Sequence, residues 1–303
     1  MKIEFPFLKG SEGNTLFIIG NGFDLFHGAL TKYKHFCSWL NLNGAEKFVS
    51  EMQEVFYKLD GKPDSLWSNF EEALGDYNID RAYQYYYISP KDSLSENKYE
   101  IASNKVVDNV RHLCNMIRPE MKRWASKIPI DNIEQQISLS INSWFLTFNY
   151  TKILENIYGI SSDHICHIHG SIDDSEEIVT GHSPYIVPKY YDAKTDEEER
   201  AKQKIKELLF ELSKKQEKQI EKNQTFFLSL PKLTHIVVIG HSLADIDLRY
   251  FGHIIKLLDQ EVVWHFSYHS EKDKNNIDNF KRECKNYSYH YTINEGEIIN
   301  LNI

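Results

Sequence analysis

Short hydrophobic runs, each closed by a small polar cluster, recur along this chain. Residues 16–19 are apolar throughout, the pattern of a strand buried on both faces. That run breaks at Gly20-Asn21-Gly22-Phe23-Asp24 and passes into a helical pattern. Residues 143–148 form the next strand pattern and run through Thr147 to Asn149-Tyr150-Thr151. Residues 165–169 close on His169-Gly170-Ser171, and residues 235–239 on Gly240-His241-Ser242. Residues 262–267 and 288–292 read as further strands, and 178–180 as a short edge strand.

Between the strands the period changes to that of helices. Residues 31–40 and 45–59 are separated by Asn43-Gly44, a turn signal. Ser68 and Glu71 have the spacing of a capping box, followed by the aromatic cluster Tyr83, Tyr85, Tyr86 and Tyr87. Val106, Val110, Leu113, Ile117 and Trp124 fall on one face of a long amphipathic helix. Thr195 and Glu198 form another capping box, ahead of a charged helix reaching to about residue 222. Asp245 and Asp247 are placed to cap a helix over residues 247–258, and a polar helix spans 270–285. Strands alternating with helices predict an α/β fold with a mostly parallel sheet. The expectation is one Rossmann-like domain over residues 1–303, with helical insertions at about 31–142 and 190–225. The strand ends with polar tips then meet in one crevice at the carboxyl edge of the sheet, where such folds bind ligands.

Composition narrows the classes. The 303 residues are 41% hydrophobic, enough for a sizeable core, and the formal net charge is -9. An acidic surface gives no general attraction for nucleic acid. The four cysteines are scattered without a CxxC pair, so neither a zinc site nor a disulfide framework is signalled. The first ten residues are too short and polar for a signal peptide, and no apolar run spans a bilayer; a cytoplasmic location is the default expectation. The long charged helices are compatible with self-association.

Three chemistries fit the polar tips. Gly240-His241-Ser242-Leu243-Ala244 is one residue from the GxSxG of serine hydrolases, but too little chain follows for the acid and histidine such an elbow needs. Alternation along residues 165–169 puts His167 and His169 on the same face, with His164 on the other, and with Asp173 or Asp174 they suggest a metal-dependent hydrolase, although the spacing matches no specific ligand signature. The third reading uses every tip. Gly20 and Gly22 admit a pyrophosphate or ribose near the backbone, although Leu25 stands where the third glycine of GxGxxG belongs. Asn149 offers an amide to a ribose hydroxyl or a water, and His169 accepts a proton. Gly240 and Ser242 contact the nucleotide. This set suits cleavage of a nicotinamide–ribose bond, whose leaving group is already cationic and needs little acid catalysis.

The ordered set of Gly20 to Asp24, Thr147 to Thr151, His167 to Ser171 and Gly240 through Asp245 to Asp247 resembles the AbiH family of phage abortive-infection proteins. Trp67 with Phe70 and Glu71 adds to the likeness. The same tips resemble the sirtuin-like NAD-binding core. There the resemblance implies catalytic roles for Asn149 and His169. It implies nucleotide contacts from Gly20, Asn21, Gly22, Phe23, Asp24, Thr147, Gly170, Ser171, Gly240, Ser242 and Asp245. Thr151 departs from the pattern, since an acid usually stands there. The zinc-ribbon cysteines of the deacylases are absent, which turns the implied activity from deacylation to NAD hydrolysis without a metal. A non-catalytic nucleotide sensor is the alternative. The implied partners are NAD or a related nucleotide and a phage-derived trigger, with no membrane.

Overall fold

The computed structural model describes residues 2–56, 65–90, 97–175, 177–185, 192–258, 262–286 and 294–301. The chain forms two compact units. The first comprises 1–31, 125–178 and 215–303, and the second 32–124 and 179–214.

The first unit is built on a six-stranded sheet. Its strands are β1 (Thr15–Ile19), β2 (Trp144–Thr147), β3 (Ile165–His167), β4 (His235–Ile239), β5 (Val263–Tyr268) and β6 (Asn294–Asn300). They lie in the order β3-β2-β1-β4-β5-β6, and every pairing is parallel. This is the order of doubly wound nucleotide-binding sheets, in which the chain's direction of travel reverses between β1 and β4. The alternation of faces is clean. Leu16, Ile18, Leu146, Ile236, Val238, Trp264 and Phe266 pack into a core with Tyr250, Phe251, Ile254 and Ile255 of the helix Leu248–Leu257. Ile277 and Phe280 of the helix Glu271–Asn286 complete that layer. On the opposite face Phe17 stacks on Phe145 at 5.2 Å between centroids, with Phe5 tilted against Phe17 at 5.8 Å. Side chains of this size, wholly removed from water, each contribute about 1.5–3 kcal/mol.

The second unit is helical. The helix Lys98–Ala125 carries the expected apolar face, with Val106, Val110, Leu113 and Ile117 buried, and it continues through Pro119. Phe36, Trp67, Phe70 and Trp124 form its aromatic centre, with ring centroids 5.2–5.9 Å apart. The chain expected to open a helix at Ser68 instead forms two short ones, Ser65–Ser68 and Phe70–Ala73, broken at Asn69. Lys214, whose side chain is fully buried, donates to Glu71 Oε2 at 2.9 Å, and Thr180 Oγ1 donates to Glu71 Oε1 at 3.3 Å. Trp67, Phe70 and Glu71 are thus structural parts of this unit.

Several boundaries moved. Residues 178–180 are not a strand; the nearest pairing is an isolated bridge of His182 with Ser213. The charged helix over 195–222 divides into Asp196–Phe210 and Gln216–Lys222. The last strand expected at 288–292 lies outside the described residues, as do residues 57–59 of the second predicted helix; β6 begins at Asn294. Among the described residues no helix is long and apolar enough to cross a membrane.

Candidate functional site

The exits of β1 and β4, which flank the reversal of the sheet, are fitted to each other. Gly20 N donates to Ile239 O at 2.9 Å, and Gly22 N to Gly240 O at 2.8 Å. A Cβ on Gly20 would stand 2.5 Å from His241 Cα, and one on Gly22 2.7 Å from Gly240 Cα. Gly240 itself has φ of 63°, and a Cβ there would meet the Phe23 nitrogen at 2.2 Å. Close approach of two backbones therefore accounts for glycine at these three positions, where the sequence suggested room for a ligand. The β5 exit joins in: Ser267 Oγ accepts from Gly240 N at 2.8 Å.

The β2 exit turns its polar groups onto the helix Asn21–Phe26. Asn149 uses both amide hydrogens, one on Gly20 O at 3.1 Å and one on Asp24 Oδ1 at 2.6 Å. Thr151 Oγ1 donates to Asp24 Oδ2 at 2.7 Å. Asp24 is thus a bridge between strand exits, and the next helix begins only at Ile153, after Lys152. Burial pushes the Asp24 carboxyl up to about 6, against the downward pull of the Thr151 and Asn149 hydrogen bonds. With its NH2 group committed, the Asn149 side chain has only Oδ1, an acceptor, left for a further hydrogen bond. The site offers an acceptor there and asks for a donor from a ligand.

His27 supports this wall from behind. Phe23 O faces its Nδ1 at 2.7 Å, and a carbonyl only accepts, so the hydrogen is on Nδ1. Nε2 is then an acceptor for Tyr158 Oη at 2.6 Å. Burial holds the His27 pKa below its ordinary value.

β3 ends at His167, so alternation does not carry through to His169, and the two histidines part. His167 engages Asn149 O at 2.9 Å and Glu155 Oε1 at 3.0 Å, and Lys152 also binds Glu155 at 2.7 Å. Burial alone would raise the Glu155 carboxyl, but the His167 and Lys152 contacts hold it below its usual range. His169, 3% exposed, lies in the following turn with Nε2 3.7 Å from Asp247 Oδ1. Asp247 Oδ2 stands 3.7 Å from His241 Nε2. Phe148 sets its ring against both imidazoles, at 5.0 Å from His169 and 4.3 Å from His241. Among the described residues no group of three or more His, Cys, Asp or Glu side chains has a metal-binding arrangement.

The remaining sequence candidates are placed as follows. Thr147 Oγ1 accepts from Asn149 N at 3.1 Å. Gly170 takes φ of 77°, and Ser171 N donates to Asp174 Oδ2 at 2.7 Å, which ties the β3 exit back on itself. Asn21 is exposed and donates to Thr31 O at 3.1 Å. Ser242 and Asp245 are exposed, while Phe23 is wholly buried. No elbow forms at Ser242: its carbonyl accepts from Asn276 Nδ2 at 2.8 Å, and the neighbouring His241 Nδ1 is occupied by Leu243 N at 2.9 Å. Sequence reasoning missed His241, Tyr250 and Ser267, and it assigned Asp247 to a helix cap. Asp247 does stand at the N-cap position of Leu248–Leu257, but its side chain makes no capping bond.

A family model described as bacteriophage abortive infection AbiH matches residues 16–268, a span that runs from β1 through β5 and contains every residue of this site. No curated protein and no solved structure matches the chain significantly.

Proposed function

The chain belongs to the AbiH family of bacteriophage abortive-infection proteins, and from that premise we propose that it binds NAD and hydrolyses it to nicotinamide and ADP-ribose. The single observation that carries this reading is Asn149. Its two amide hydrogens are held by Gly20 and Asp24, which leaves Oδ1 as an acceptor for a ligand. A ribose hydroxyl or an attacking water is the donor that such a group recognises. In the proposed reaction the nicotinamide–ribose bond breaks, the bonding electrons leave with nicotinamide, and water adds to the ribose carbon. His169 takes the proton that water releases. The crevice beside the sheet's reversal point is where doubly wound folds hold nucleotides, which is support at the level of fold alone. The glycine loops add less than their sequence promised, because each fills the space beside the other.

The test incubates purified wild type, His169→Ala and Asn149→Ala with NAD and quantifies nicotinamide and ADP-ribose by chromatography. Product from wild type and none from either variant is expected. Absence of both product and NAD-dependent thermal stabilisation in wild type would overturn the reading. The burial of His169 and Asn149 favours a second reading, a nucleotide-responsive switch without chemistry. Its mark is a raised melting temperature with no product. Saturation to about 100 times Kd corresponds to about 2.7 kcal/mol, well within measurement. The metal-hydrolase alternative has less support, since His167 and His169 engage different carboxylates.

A further inference from the structure

An aspartate at a helix N-cap ordinarily accepts from the first-turn amides, and Asp247 does not. Its carboxylate, with the side chain 10% exposed, lies between two imidazoles each 3% exposed, with one oxygen 3.7 Å from each Nε2. Leu243, the one non-glycine residue with positive φ among the described residues, explains the arrangement on one side. Its φ of 53° presents its N–H to His241 Nδ1 at 2.9 Å. A leucine rarely adopts this region, and such strain persists where the surroundings over-determine it. The nitrogen that accepts this bond carries no hydrogen, so the His241 proton sits on Nε2 and faces Asp247. On the other side Phe148 and Tyr250 hold the His169 ring edge-on at 5.0 and 5.6 Å.

We propose that Asp247, held by His241, is a positioning residue for His169. It fixes the tautomer with hydrogen on Nε2. The inference rests on the NAD-cleaving reading for its consequence, but not for its geometry. A separation of 3.7 Å is longer than a hydrogen bond, and contacts of this kind tighten when substrate closes the site. Asp247 therefore acts through His169: it stabilises the imidazolium formed as water is deprotonated, and touches no substrate itself. Among the described residues, Asp247, His241 and Tyr250 are titratable groups that face His169 or its partner carboxylate.

Nitrogen NMR on histidine-labelled protein tests this without turnover. Wild type is expected to show both His169 and His241 with hydrogen on Nε2, and the His169 titration midpoint is expected to fall in Asp247→Asn, which keeps the shape but removes the charge. A His241 ring with hydrogen on Nδ1, or a His169 midpoint that does not move, would overturn the proposal. Where wild type hydrolyses NAD, Asp247→Asn is expected to lower kcat at least about 100-fold with KM nearly unchanged, and the His169 limb of the pH profile is expected to shift with the NMR midpoint. An unaltered kcat would also overturn it. If no NAD is hydrolysed the NMR result still decides, so the two failures are distinguishable.

Discussion

Asn149 and Asp24 show how much one hydrogen bond decides. The 2.6 Å contact between them sets which end of the Asn149 amide faces outward. Asn149→Asp would place a second carboxylate against a buried one, and like charges at that distance cannot both ionise. This variant is expected to lose stability as pH rises above about 6 relative to wild type, measured by urea midpoints at pH 5 and 8. At Thr151→Val the Asp24 carboxylate loses one of its two donors, and the expected cost is about 1–3 kcal/mol. In the helical unit, Lys214→Met leaves Glu71 without its buried cation. Stranding one partner of such a pair costs about 3 kcal/mol or somewhat more, readable as a lowered melting temperature; an unchanged value would show that Glu71 finds its charge balance elsewhere.

The elements that the sequence announced are those whose pattern is local. Leu16 to Ile19 and Ile236 to Ile239 read as doubly buried strands because both neighbours of each are strands, and both are where they were expected. His169 was misplaced on a strand because one residue of β3 decides whether alternation continues, and nothing in Ile165 to Gly170 marks the stop. Asp247 was read as a cap because capping is a one-residue signal, while the imidazole six positions earlier reaches it only through the turn that Leu243 makes. The glycine loops were recognised as sites of close approach, but the approaching group is another loop, a long-range contact that spacing does not show. Their mutual fit gives a prediction about elements. Gly240→Ala forces a methyl group onto the Phe23 backbone and is expected to separate the β1 and β4 exits. A loss of about 2–3 kcal/mol, with weakened NAD binding, is the expected outcome by denaturant titration.

Across the molecule, buried titratable groups pull stability in opposite directions with pH. His265, within β5, is held down at about 4 by burial and by His235. Its neutral form contributes stability that is complete above about pH 6.5 and is lost as pH falls toward 4; His27 acts in the same sense. Asp24, raised to about 6, does the reverse: its contribution is full below about pH 4 and is lost as pH rises through 6. Between pH 4 and 6 the two trends offset each other. Asp24→Asn removes one of them, so the variant is expected to lose stability on acidification more steeply than wild type, in urea midpoints taken across that range. The pairing of Gly22 with Gly240 also bears on how the protein is made. The first glycine loop leaves the ribosome early, yet the partner that shapes it follows more than two hundred residues later. At roughly 5–20 residues per second that is a wait on the order of tens of seconds. A chain cut short before β4 holds Asn149 and His169 but lacks both His241 and Asp247. On the proposed reading, an interrupted translation is then expected to yield an inert fragment.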